Sequence, residues 1–239
     1  MMLLVRGDRE FLVAPGEELH TDLGVIEAPD DPTPGETVET HLGEPFTVRE
    51  LRGPDLFNHF ERTGAPMMPK DIGLVMGHTG VSGADRVLDA GTGTGVLAAY
   101  LGRAGADVTT YEQDADFAAV ARENMSLAGV SDAVSVRAGD VTADLDALGT
   151  FDVLTLDTQD APDVVAHADD LLVSGGQVAV YSPFVENARA TTQAARDAGL
   201  VDIDAMETIQ RRMDFDDRGS RPSTAGVGHT GYLLFARNP

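Results

Sequence analysis

Residues 87–97 read V-L-D-A-G-T-G-T-G-V-L. An apolar run suited to a strand buried on both faces meets an aspartate, and glycines then fill positions 91, 93 and 95. Working outward, RVLDA (86–90) reads as a strand and VLAAYLGRAG (96–105) as a helix stopped by glycine. ADVTTYE (106–112) is a strand. DADFAAVARENMSLAG (114–129) is a helix with an aspartate cap and a closing glycine. AVSVRAGD (133–140) and FDVLTLD (151–157) are strands, APDVVAHADDLLV (161–173) a helix, GQVAVYS (176–182) a strand and ENARATTQAARDAGL (186–200) a helix. VDIDAMETIQRR (201–212) and TGYLLFARN (230–238) read as two long closing strands. Parallel strands with crossover helices predict an open, Rossmann-like α/β sheet. Residues 1–65 differ: short alternating apolar stretches are broken by turns, with A-P-D-D-P-T-P-G-E (28–36) a loop. They predict a small N-terminal β domain ahead of a main domain over 66–239.

Composition sets limits. The 239 residues hold 42% hydrophobic side chains, no apolar run long enough to span a membrane, no cysteine, and no leader-like start. A soluble, cytoplasmic protein without thiolate metal sites is expected. Forty acidic residues face seventeen basic ones, for a net charge of −23, and of the basic residues only Lys70 is a lysine. Such a surface suits a salt-adapted protein, because at molar salt the Debye length falls to about 3 Å and self-repulsion is screened. Acidity normally argues against nucleic-acid binding, but in a salt-adapted chain the average surface does not report on the binding face.

The ligand of the glycine turn follows from spacing and charge. A dinucleotide fingerprint needs G-x-G-x-x-G, and Val96 stands where its last glycine belongs. Asp89, directly ahead of the turn, would repel a pyrophosphate and attract a cation. S-adenosylmethionine carries a sulfonium, an ammonium and one carboxylate, and is favoured over NAD. Gly91, Thr92, Gly93 and Gly95 would let the backbone approach its methionine half. Asp89 would attract its ammonium. Glu112, ending the second strand, would accept the ribose hydroxyls, and Asp140, ending the third, would bond the adenine amino group.

With PMMPKDIGLVM (66–76), LDAGTGTG (88–95) and RGSRPSTAGVGHTGYLLFAR (218–237), the chain resembles the tRNA (adenine-58-N1) methyltransferases, a family of class I methyltransferases. The long closing motif, V-G-H-T-G then an aromatic and leucine, is the most specific part. The resemblance covers most of 54–239 and, more loosely, the N-terminal module, for which it implies tRNA binding or oligomer contact. It implies methyl transfer from S-adenosylmethionine to N1 of adenine 58 in the T-loop of tRNA, with adenine 57 an added target in archaeal members, and a homotetramer.

Adenine N1 has a free lone pair and needs no strong base. A carboxylate near N1 and N6 would orient the amine and stabilise the forming cation. Asp157, closing FDVLTLD, stands where the family has its catalytic aspartate, beside the donor methyl. The family's tryptophan after that aspartate is missing from T-Q-D-A-P (158–162), which leaves the stacking surface for the extruded base open. Tyr181 is either its replacement or core packing. His229 is either a contact to the target nucleotide or a support for its loop, and Thr230 lies beside it. Arg211, Arg212, Arg218 and Arg221 either contact phosphates or pair with Asp214, Asp216 and Asp217. No metal and no membrane partner is expected. Without cysteine, covalent attack on a pyrimidine is excluded, and the Asp/Asn-Pro-Pro-aromatic segment of exocyclic amino methyltransferases is missing. Two rivals stay open: a corrin-type small-molecule methyltransferase and a non-catalytic cofactor-binding subunit.

Overall fold

A computed structural model describes residues 1–226 and 228–239; Val227, inside the V-G-H-T-G motif, lies outside the described residues. The chain divides into two compact units, 1–60 and 61–239. The first is β-rich. Strands β1 (Met2–Arg6), β2 (Arg9–Val13), β5 (Thr37–Glu39) and β6 (Pro45–Arg49) form an antiparallel sheet ordered β2-β1-β6-β5. β3 (Glu18–Thr21) and β4 (Gly24–Glu27) make a separate hairpin, and helix α1 (Gly53–His59) closes the unit. Alternation puts Met2, Leu4, Ile26, Phe46 and Val48 into one small core.

The second unit is an α/β sheet. Its elements are α2 (Pro69–Thr79), β7 (Arg86–Ala90), α3 (Val96–Arg103), β8 (Asp107–Glu112), α4 (Ala115–Ala128), β9 (Val134–Ala138), β10 (Phe151–Leu156), α5 (Ala161–Val165) and α6 (Ala168–Leu171). There follow β11 (Leu172–Ser182), α7 (Val185–Asp197), β12 (Val201–Glu207), a hairpin of β13 (Met213–Asp216) and β14 (Gly219–Pro222), and β15 (Tyr232–Arg237). Seven strands pair in the order β12-β15-β11-β10-β7-β8-β9. The chain leaves β7 toward β8 and β9, then returns to its other side with β10. That reversal opens a crevice at the carboxyl ends of β7 and β10. The apolar middles of the strands, among them Leu88, Leu154 and Val178, are fully buried under helices on both faces.

Three expectations change. The helix over 161–173 is broken. His167 takes a non-helical conformation between α5 and α6, and Leu172 leaves to pair with Phe151 across a bulge at the start of β10–β11. The strand over 201–212 ends at Glu207, because D-D-R-G (216–219) makes a tight turn, with Gly219 at φ +132°, that pairs β13 with β14. β15 is also not parallel. It runs antiparallel to both β11 and β12, so the link from β12 needs no crossover helix.

Candidate active site

The glycine turn is shaped by its neighbours in the sheet. Gly91 (φ +88°) and Thr92 both donate their N–H groups to the Tyr111 carbonyl, and Asp157 donates its own to the Ala90 carbonyl at 2.8 Å. A Cβ on Gly91 would lie 2.0 Å from the Asp157 carbonyl oxygen, so the turn rests directly on the end of β10. Gly95 (φ +82°) caps α3, and a Cβ there would strike the Met125 methyl at 2.6 Å. Gly93 differs: a Cβ would meet nothing nearer than 4.0 Å. Its face is open to a cavity of about 330 Å³ that also borders Glu112, Phe117, Val141 and Asp157. Thr92 turns inward and pairs its hydroxyl with Thr110 at 2.5 Å.

The acids of the three strand ends have separate settings. Asp89 is buried, and Thr110 and Thr155 each donate a hydroxyl to one of its oxygens, at 2.5 and 2.6 Å. Burial pushes its carboxyl up. It borders the narrow end of the cleft with both oxygens engaged. Glu112 reaches back under the turn: Oε2 accepts the Gly93 N–H at 2.8 Å and Oε1 the Asp114 N–H at 3.1 Å. Asp140 is exposed and accepts the N–H and hydroxyl of Thr142, which hold its carboxyl below the usual range. Its neighbours Gly139 and Val141, rather than Asp140 itself, line the cavity.

Asp157 is half-buried at the carboxyl end of β10. Burial first, then the charges of Asp89 and Asp71, push its carboxyl up to about 7. Tyr181 stands one strand away. The hydroxyl donates to the Thr230 carbonyl, and a Cβ on Gly231 would lie 2.4 Å from its ring. Burial, then Asp157 and Asp71, push the phenol up to about 12. The ring therefore secures the segment before β15, an arrangement closer to packing than to a free stacking wall.

His229 has both ring nitrogens engaged, Nδ1 with Glu207 at 2.8 Å and Nε2 with the Pro183 carbonyl at 3.0 Å. Both acceptors favour the protonated ring and raise its pKa. It clamps its loop to the ends of β12 and β11. The four arginines lie on or beside the β13–β14 hairpin, which emerges at the carboxyl edge of the sheet between Glu207 and Tyr232. Arg218 pairs with Asp216 at 3.1 Å, Arg221 stands opposite Asp214 in register, and Arg211 donates to the Ser223 carbonyl. Arg212 is exposed beside them.

Residues 58–220 match the family described as tRNA methyltransferase complex GCD14 subunit. The chain belongs to this family. A curated relative from Methanocaldococcus jannaschii, a tRNA (adenine(57)-N(1)/adenine(58)-N(1))-methyltransferase, is 31% identical over 98% of this chain and 93% of its own length. An SAM-dependent O-methyltransferase from Thermotoga maritima shares the architecture with a TM-score of 0.81 and 27% identity, over 99% of this chain and 92% of that one. The tRNA (m1A58) methyltransferase of Aquifex aeolicus superposes with a TM-score of 0.75 at 23% identity, over 100% and 96%.

In this GCD14-family chain the structure adds residues the sequence reading passed over. Asn124 is 2% exposed; it accepts the Glu61 N–H and donates to the carbonyls of Glu61 and Thr94. It thereby staples 61–65 to the glycine turn, and Thr63, Gly64 and Ala65 line the cavity as part of the second unit. The signal for Asn124 was a polar residue three positions after buried Ala121 on one helix face. Phe117, exposed on the first turn of α4, supplies an aromatic wall. Among the described residues no cluster could hold a metal ion, and no helix is long and apolar enough to cross a membrane.

The cavity fits the donor expected from the sequence: open backbone at Gly93, an anionic strand end at Glu112 and apolar walls at Phe117 and Val141. Replacing Glu112 by Ala is expected to weaken S-adenosylmethionine binding by about 1.5–3 kcal/mol, the worth of one lost charge-assisted bond. Calorimetry returning an unchanged Kd would place the ribose elsewhere.

Proposed function

We infer that this chain transfers a methyl group from S-adenosylmethionine to N1 of adenine 58 in the T-loop of tRNA, with adenine 57 as an added target. The observation that carries this is Asp157, which at the end of β10 lines both the cavity at the glycine turn and the narrower pocket beside it. The cofactor supplies an electrophilic methyl on a cationic sulfur. Asp157, when ionised, would accept a hydrogen bond from the adenine amino group and stabilise the positive charge that develops on the ring as N1 takes the methyl. Gly91 and Gly93 would bring backbone close to the methionine half, and Glu112 would hold the ribose.

With Tyr181 committed to Thr230, Phe184 is the better stacking surface for the extruded base. Phe184 is 68% exposed two residues past the end of β11, and Asn187, three residues on, ties down the 158–160 loop through the Gln159 carbonyl. The segment 211–221 holds four arginines against three aspartates in a chain of net charge −23, which supports phosphate contact at that edge. Residues 1–60 are assigned tRNA or subunit contact, supported by a groove lined by Arg6, Arg49 and Arg52. Exposed Ile209, Met213 and Phe215 on the hairpin segment support burial between copies in a homotetramer. The acidic, arginine-dominated composition supports work at high salt, and a tRNA substrate supports a cytoplasmic site.

Incubation with labelled S-adenosylmethionine and unmodified tRNA transcripts at molar KCl is expected to yield 1-methyladenosine, mapped by nucleoside mass spectrometry to position 58. Donor binding with no 1-methyladenosine in any transcript overturns the reading.

A further inference from the structure

A bridge of two side chains joins the two sides of the donor cavity and has no part in the chemistry described so far. β7 lies between β10 and β8 in the sheet, and all three run parallel. Their carboxyl ends share one edge, so the segments after β8 and β10 leave the sheet on either side of the glycine turn, about 10 Å apart at two strand spacings. Gln113, directly after β8, and Thr158, two residues after β10, both line the cavity. Gln113 Nε2 donates to Asp160 Oδ2 at 2.9 Å, which joins the two segments. The same oxygen accepts the Thr158 hydroxyl at 3.4 Å. Asp160 itself stands outside the cavity lining.

Asp160 gives up its usual task to make this contact. It occupies the N-cap of α5, where an aspartate ordinarily accepts the first free N–H groups of the helix, yet its side chain caps none of them. Both posts of the bridge are held from behind. Glu112, beside Gln113, accepts the N–H groups of Gly93 and Asp114, and Asn187 of α7 donates Nδ2 to the Gln159 carbonyl at 2.8 Å. The residue type at 113 also fits. A lysine or arginine lining this cavity would repel a ligand that carries a sulfonium and an ammonium. Its pairing with Asp160 would also be screened by molar salt. A neutral amide reaches the carboxylate as a donor without adding that charge.

We propose that Gln113 and Asp160 are a positioning pair for the donor: their hydrogen bond straps the segment after β8 to the segment after β10 and slows the release of S-adenosylmethionine and of its demethylated product, S-adenosylhomocysteine. Gln113 is the arm that borders the ligand, and Asp160 acts through it. The strap rests on the reading that the donor occupies the cavity at Gly93.

The test is an isotope chase on the full chain in molar KCl. Labelled S-adenosylmethionine or labelled S-adenosylhomocysteine is bound, unlabelled ligand is added in excess, and the label retained on a filter is followed in time. Gln113→Ala and Asp160→Ala should each release both ligands about fivefold faster, the worth of one hydrogen bond to a carboxylate. S-adenosylhomocysteine has no sulfonium, so an equal factor for the two ligands separates the strap from a simple loss of negative charge. The double variant should release them no faster than either single one, because the same contact is lost only once. Asp160→Asn keeps an acceptor and should stay within about twofold of the wild type. A purely structural role would lower the melting temperature and leave the release rates in place. Unchanged release from Asp160→Ala, effects of the two alanines that multiply in the double variant, or an Asp160→Asn as fast as Asp160→Ala each overturn the strap and leave the reading of the cavity standing. A wild type that retains no donor overturns that reading as well.

Discussion

Asp157→Asn is expected to lose about 10²- to 10⁴-fold in turnover, on the scale of removing a preorganised electrostatic contact, while gaining stability above neutral pH. The two effects share one cause. The folded state raises this carboxyl from 3.8 to about 7. The acid is therefore stabilising when protonated: its contribution is complete below about pH 4 and is lost as pH rises through 7. A shift of this size corresponds to at most roughly 4 kcal/mol of folding stability by pH 8. Asparagine keeps the shape and never ionises. The variant should therefore melt higher than the wild type at pH 8, with the advantage shrinking toward pH 5, and should bind donor within a few-fold of the wild type. Melting curves at both pH values, paired with single-turnover assays, check this. A variant that turns over normally, or whose stability tracks the wild type at every pH, removes Asp157 from the role assigned to it.

Gly91→Ala should be the most destructive of the glycine-to-alanine changes, since no other glycine brings a new Cβ so close to a neighbour. The new Cβ would lie 2.0 Å from the Asp157 carbonyl oxygen and 2.6 Å from its carbonyl carbon, at a φ of +88°. Those atoms are backbone, so relief requires parting the turn from the end of β10. A cost above about 4 kcal/mol is expected, in the range reserved for specific steric mechanisms. Gly93→Ala is the internal control. Its φ is also positive, at +51°, but its Cβ would enter open space, so the folding penalty should be about 1–2 kcal/mol while donor binding suffers. Urea titrations of the two variants give the comparison. Equal midpoints for Gly91→Ala and the wild type would contradict the packing described.

Much of the fold was legible because local and global signals agree. The 86–90 strand, the glycine turn, the Asp114 cap and the Gly129 stop all stand where apolar period and capping chemistry put them. What was not legible depends on partners distant in sequence. Nothing in A-D-D-L-L (168–172) announces that Leu172 will leave a helix to pair with Phe151, and nothing in β15 tells its direction. The site divides the same way. The acids at the strand ends could be found by position, but not what occupies them. Asp89 is taken by two threonines, Asp140 by its own cap, Tyr181 by a carbonyl 49 residues on. Gly91 lines the cavity with its backbone, and the position a Cβ would take is filled by the end of β10, a close approach that only distant residues could reveal.

The placement of β15 has a consequence for how the molecule is made. This last strand in chain order lies between β11 and β12, so β12 has no neighbour in the sheet until β15 arrives. The segment just before it carries the Thr230 carbonyl that receives the Tyr181 hydroxyl and the imidazole of His229 that ties down Pro183. During synthesis on the ribosome, the core under β7 and β10 stays short of residues from β11, α7 and β15, and the edge that would meet a nucleic acid is finished only after residue 237 is free.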